Sequence, residues 1–136
     1  MRKAKTIISL MIIMAAIVAI TACSGETRVV STWTMSGALT HNIEANSWLI
    51  SINRVNGNSR RDVTFTSESI RALHVENTNN GGSVALVITQ GEAQRRIDIS
   101  GNFNEILDIS DDFEPGSIRL RLEFESAENV RVSLSW

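Results

Sequence analysis

The sequence predicts an all-β fold: a single antiparallel β-sandwich, jelly-roll or Ig-like, following a cleaved N-terminal signal helix. Three observations lead there. Apolar and polar residues alternate with period 2 along most of the chain after residue 27, as half-buried strands require. Clusters of Asn, Gly, Ser and Asp interrupt that alternation roughly every ten residues. No stretch beyond the leader has the spacing of an amphipathic helix. A length of 136 residues suits one domain.

The N-terminus has three zones. Arg2, Lys3 and Lys5 form a positive start, Thr6 to Ile20 is an apolar run, and small residues close it at Thr21 and Ala22. This is the pattern of a secretory signal. The run is shorter than the roughly 20 residues a spanning helix needs. Residues 1–22 are therefore read as signal peptide, 23–27 as a short tether and 28–136 as the sandwich.

Removing the leader leaves 114 residues with ten Arg, no Lys and 15 acids, a net charge of −5. Such a balance gives no electrostatic case for nucleic acid. It predicts mild repulsion from anionic lipid, so that the anchor rather than the protein surface is expected to hold the domain to the membrane. One cysteine excludes an internal disulfide framework and multi-cysteine metal sites.

The strands follow in order. Arg28 to Met35 supplies Val30 and Trp33, and Leu39 to Ile43 forms another strand. Trp48 to Ile52 runs to a turn at Asn56-Gly57-Asn58, and Asp62 to Thr66 is short and β-branched. Ile70 to Val75 reads as strand or helical turn. Asn77 to Gly82 is the strongest turn signal. Val84 to Ile88 is apolar on both faces and predicts a central, covered strand. Gln90-Gly91-Glu92 turns the chain into Arg95 to Ser100, where Ile97 and Ile99 point inward. Phe103 to Ile109 precedes a loop from Asp111 to Gly116. The last two runs, Ile118 to Glu125 and Val130 to Trp136, alternate cleanly about Ser126 to Asn129 and predict a closing hairpin. No internal repeat is evident.

Ile20-Thr21-Ala22-Cys23 resembles a bacterial lipobox. The resemblance implies cleavage before Cys23, a diacylglycerol on its sulfur and acylation of its amine. Several acyl chains anchor stably where one is marginal. Residue 24 is Ser rather than the Asp that resembles an inner-membrane retention signal, which permits outer-membrane sorting in a double-membraned cell. The region from Ser83 to Trp136 resembles the C-terminal β-sandwich of small uncharacterised bacterial surface lipoproteins. Glu114-Pro115-Gly116, the run Ile118 to Glu125 and the terminal Trp136 carry that resemblance. It implies a membrane-anchored, extracytoplasmic location, with a Pro-Gly turn feeding the penultimate strand, and no particular ligand.

The chemical candidates are few. There is no Gly-x-Ser-x-Gly elbow, and His41 and His74 are the only histidines. Cys23 is no nucleophile once acylated. Asp108, Asp111, Asp112 and Glu114 form a weak calcium candidate without EF-hand spacing, and a solvated acidic turn is the favoured reading of them. Glu76 with Asn77, Asn79 and Asn80 is a weaker one. Trp33, in the polar stretch Ser31 to Thr34, is the weak candidate for an exposed, sugar-stacking ring, with a place at the edge of the core as the equal alternative. Trp48 and Trp136 are in phase with apolar neighbours and predict core. Arg60-Arg61 and Arg95-Arg96 bracket strands or pair with acids. These readings converge on a non-catalytic, lipid-anchored binding or structural envelope protein with a protein or glycan partner and no other cofactor. Its contacts would run through strand edges or the loops Asn77 to Gly82 and Asp108 to Gly116. The alternative is a carbohydrate-binding or substrate-capture module; a small hydrolase is third.

Overall fold

A computed structural model describes residues 28–136. The leader, Cys23 and the tether lie outside the described residues. The chain forms seven strands: β1 (Val29–Glu44), β2 (Ser47–Phe65), β3 (Leu73–Thr78), β4 (Gly81–Gln90), β5 (Ala93–Asp98), β6 (Asn102–Leu107) and β7 (Gly116–Ser135). One 3-10 turn, Ser69–Arg71, precedes β3. That turn and β3 divide the segment the sequence left between strand and helical turn. Every pairing is antiparallel, so the expected all-β antiparallel class is what the protein has.

Three strands of 16, 19 and 20 residues, β1, β2 and β7, carry the architecture. Their first and last parts belong to different layers. The half of β7 from Arg119 to Glu128 pairs with β4, and the half from Arg131 to Ser135 pairs with β3. One layer therefore reads β1-β2-β7-β4-β5 and the other β1-β2-β7-β3-β6. The sandwich is a single sheet folded on itself.

The crease is visible in the register. Pairing slips between Ser36 and Leu39 in β1, between Val55 and Gly57 in β2, and between Gly81 and Ser83 in β4. Each slip is a bulge, which bends a strand and steepens its twist. Two glycines make the crease tight. Gly57 has φ +128, and a Cβ there would collide with Thr32 O. Gly82 has φ +70, and its Cβ would collide with the carbonyls of Glu125 and Ser126.

The crease also corrects the end of the chain. The expected hairpin between Ile118 to Glu125 and Val130 to Trp136 does not form; the two runs are one strand. Ser126 and Asn129 adopt left-handed φ values of 47 and 51. Each adds one residue to the phase, so the buried positions run Ile118, Leu120, Leu122, Phe124, then Ala127, then Val130, Val132, Leu134. Two shifts cancel, and the apolar face stays inward through the bend. β2 supplies a continuous partner from Ser47↔Ser135 to Phe65↔Gly116. The Pro115-Gly116 turn thus feeds the last strand rather than the penultimate one. Asn56-Gly57-Asn58, expected as a turn, is likewise a bulge inside β2.

Contacts across the crease show that the layers face each other. The Phe65 and Trp136 rings, at the far ends of the two layers, are 5.9 Å apart. Trp33 meets His41 at 5.9 Å. Arg61, 1% exposed, leaves β2 in one layer and donates to Ser47 O at 2.8 Å and to Glu44 O in the other. Between the layers lies one core containing Trp48, Ile50, Leu86, Ile88, Leu120, Leu122 and Leu134. The covered strand expected at Val84 to Ile88 is real, with Val87 and Ala85 buried on the outward face. The register sets Val87 between Arg96 and Arg121, whose aliphatic stems are long enough to cover it.

A small repeat closes the open end. Asp98-Ile99-Ser100 and Asp108-Ile109-Ser110 have the same local geometry. In each, the Asp Oδ1 accepts from the Ser backbone N–H at 3.0 Å and from the Ser hydroxyl at 2.6 Å. Each places a fully buried Ile in the core. Ile99 N–H donates to Val84 O and Ile109 N–H to Ile70 O.

Candidate functional site

The outward side of the crease carries a groove of about 340 Å³. Thr34, Met35 and Ser36 of β1 line it, with Arg54 and Asn56 of β2 and Ser126 and Glu128 of β7. Bulged backbone places these side chains there, because a bend re-aims residues that a flat strand would alternate away. Arg54 Nε and Glu128 Oε1 stand 3.9 Å apart at the rim. Asn56 Oδ1 accepts from Ser126 N–H at 3.2 Å, tying two strands across the bend.

β1 borders that groove and is a sheet edge, paired only with β2. From Thr34 to Thr40 it is exposed throughout. Met35 and Leu39 are 36% and 42% exposed, two of the large apolar side chains left on the surface. An unpaired strand edge presents backbone donors and acceptors to any extended chain.

The sequence candidates land elsewhere. Trp33 is half-buried and packed against the core, 6.1 Å from the Phe124 ring. Trp48 is 1% exposed, and Trp136 lies under Arg61, whose guanidinium carbon is 5.0 Å from the ring centroid. Rather than an exposed row, the aromatics form an internal one: Trp33, His41 and Trp48 in sequence. Trp48 Nε1 donates to His41 Nε2 at 2.9 Å. That bond requires a neutral imidazole with its proton on Nδ1. Burial lowers the His41 pKa, and the nearby charge of Arg61 lowers it further.

His74 is half-buried, 2.8 Å from Asn104 Oδ1 and 3.1 Å from Glu76 Oε1. Among the described residues neither histidine is hydrogen-bonded to a serine. The acidic loop is built into the fold. Asp108 is engaged by Ser110, Asp112 Oδ2 is 3.6 Å from Arg95, Glu114 N–H donates to Gln90 Oε1 at 2.8 Å, and Ile109 and Phe113 are buried. Among the described residues no three His, Cys, Asp or Glu side chains are grouped to hold a metal ion. The Asn77 loop is structural too. Asn77 is 1% exposed and donates to Ile99 O at 2.8 Å, while Asn79 Oδ1 accepts from Gly101 N–H at 2.7 Å. Both loops expected to make contacts are thus pinned to the body of the sandwich. Arg61 departs from its reading as a strand-end cation, since it crosses the core.

Sequence reasoning missed the crease groove and the β1 edge. The bulges that create them lie where the alternation slips, at Asn53 to Asn56 and at Ser126 to Asn129, and a slip in phase looks the same in sequence as a turn.

No family model and no curated protein matches the chain. Several solved structures are distantly similar. The enzymatically active domain of bacteriophage CBA120 tailspike protein 4 is 10% identical over 86% of this chain at a TM-score of 0.41; the match spans 20% of the tailspike chain. TmCBM61, solved with β-1,4-galactotriose, is 12% identical over 79% of this chain and 83% of its own at 0.37. The carbohydrate-binding module CBM4 is 7% identical over 83% and 86% at 0.37.

Proposed function

We propose that this protein is a lipid-anchored, extracytoplasmic binding protein that captures an extended segment of a partner protein on the β1 edge, without catalysis. The observation that carries this reading is the free edge from Thr34 to Thr40, with Met35 and Leu39 exposed beside the crease groove. Strand addition supplies affinity through backbone hydrogen bonds and specificity through pockets for alternate side chains. The groove is such a pocket. The anchor at Cys23 would hold the domain at the surface where such a partner is met.

The test is a photo-reactive residue in place of Leu39 in the full chain, activated in the native membrane. A discrete adduct with a partner, abolished by Thr40→Lys at the edge, is the expected result, since an edge lysine opposes strand addition. Absence of a discrete adduct, or one indifferent to Thr40→Lys, overturns it.

The polar side chains within the groove support a second reading. Hydroxyl, amide and charged groups from Thr34, Ser36, Asn56 and Glu128 can hydrogen-bond the hydroxyls of a sugar. Saccharide binding lost in Asn56→Ala and retained in Thr40→Lys would favour capture of glycan over protein.

A further inference from the structure

The fold sorts the charge of this acidic chain. On the outward face of the β1-β2-β7-β4-β5 layer, the register aligns successive rows across the strands. The first row runs from Arg28, just before β1, through Asp62 and Arg119 to Thr89 and Gln94. The next holds Val30, Arg60, Arg121, Val87 and Arg96. The rows beyond carry Glu123 with Asp98, then Glu125. Five arginines and one aspartate therefore share the end of the face where the chain enters the domain.

Only part of that charge is balanced. Arg119 Nε donates to Asp62 Oδ1 at 2.8 Å. Glu123 takes both Arg96 and Arg121. Arg60 sits directly opposite Arg121, a like-charge pair that sheets normally avoid. Arg28 and Arg60 make no ion pair among the described residues. With Val30, Asp62 and Arg119 they line a depression of about 210 Å³. Asp62 reports the local field: its pKa is lowered first by the Arg119 hydrogen bond, then by the charges of Arg119, Arg60 and Arg28. The nearest loops carry counter-charges, Glu92 after Gly91 and Glu114 before Pro115; Gln90 holds Glu114 through its backbone N–H and carbonyl and leaves its carboxylate free to act as a counter-charge.

We infer that Arg28, Arg60 and Arg119 form a phosphate-binding site that takes the headgroups of anionic phospholipid. Guanidinium forks match phosphate oxygens in geometry as well as charge. The position follows from chain length. Arg28 is five residues from Cys23, so an extended tether reaches at most about 18 Å. This inference rests on Cys23 being the anchor. The basic end then faces the bilayer, the acidic end of the same face points away, and the β1 bend is held clear for a partner. The repulsion expected from net charge alone becomes orientation.

The test uses the full chain reconstituted in nanodiscs, with its mass measured to establish whether Cys23 is acylated. A fluorophore is attached at Gln94→Cys, in the basic row, or at Glu125→Cys, at the acidic end. Quenching by headgroup-labelled lipid is then read. In anionic bilayers the probe at 94 should be quenched several-fold more than that at 125. In zwitterionic bilayers the difference should vanish. Arg60→Gln and Arg28→Gln should each reduce the contact about fivefold, as a surface cation near anionic lipid contributes. Their melting temperatures should be unchanged, because both side chains are exposed. Equal quenching at both positions in anionic bilayers overturns the site. So does tight binding of inorganic phosphate with no lipid preference, or binding of a nucleic acid in place of lipid. An unacylated mass combined with asymmetric quenching would retain the site and refute the Cys23 anchor, so the two readings fail separately.

Discussion

Replacing Arg61 should cost more than any other single polar substitution in the domain. Its guanidinium donates to two carbonyls of the opposite layer, Glu44 O and Ser47 O, and stacks on Trp136 at 5.0 Å. Hydrogen bonds from a charged donor contribute about 1.5–3 kcal/mol each. A desolvated cation–π contact adds up to about 2 kcal/mol. Against these stands the cost of holding a charge out of water, several kcal/mol, which any neutral replacement recovers. The net expectation for Arg61→Ala is a loss of about 3–5 kcal/mol, including the space left between the layers. Arg61→Lys should lose about 2–3 kcal/mol, because an ammonium keeps the charge and loses the fork and the planar stack. Domain stabilities run about 5–15 kcal/mol, so either loss is a large fraction of the whole. Urea unfolding followed by tryptophan fluorescence reads the change, with an unchanged slope confirming that the same surface is exposed. An Arg61→Met protein as stable as wild type would refute the reasoning, since the bonds to Glu44 and Ser47 would then contribute nothing net.

Other outcomes follow from the same structure. Gly82→Ala should destabilise by more than about 2 kcal/mol, combining a left-handed φ with a collision against the β7 carbonyls, whereas Gly91→Ala, where a Cβ meets nothing, should cost less in thermal melts. His41 has a lowered folded pKa, so its contribution is present above the unfolded value of about 6.5 and is lost as pH falls through the folded one. Stability measured by denaturant titration should therefore decline on acidification below about pH 6.5, and His41→Gln should flatten that decline. Asp98 and Asp108 act in the same direction at lower pH, because bonds to Ser100 and Ser110 lower their pKa values. Ile99→Ala and Ile109→Ala should each cost about 2–5 kcal/mol by calorimetry, and similar losses at the two sites would confirm that the repeated triplets do the same job.

Much of this was legible in the chain because it depends on local periodicity. Val84 to Ile88 reads as apolar on both faces, and it is covered on both faces. The alternation from Ile118 to Phe124 gives the inward side of β7 without any tertiary information. Trp48 and Trp136 read as core from their phase, and they are packed. Other features could not be read this way. Ser126 to Asn129 has the composition of a hairpin loop, and the choice between reversing and bending depends on whether a continuous partner lies alongside. β2 provides that partner, through Val55 opposite Ala127 and Arg54 opposite Glu128, from far earlier in the chain. Trp33 stands among polar neighbours and looks exposed, yet the fold of the sheet brings Phe124 and His41 over it.

The sequence by itself determined the antiparallel β class and the inward face of most strands, because period-2 burial is encoded by neighbours. Only the tertiary structure decided that one sheet creases into two layers, that Arg61 spans them, and that Arg28, Arg60, Arg96, Arg119 and Arg121, far apart in the chain, share one end of an outward sheet face. Those outcomes depend on cross-strand register, and register is set by pairings between residues far apart in sequence, where single-residue bulges change which side chains become neighbours.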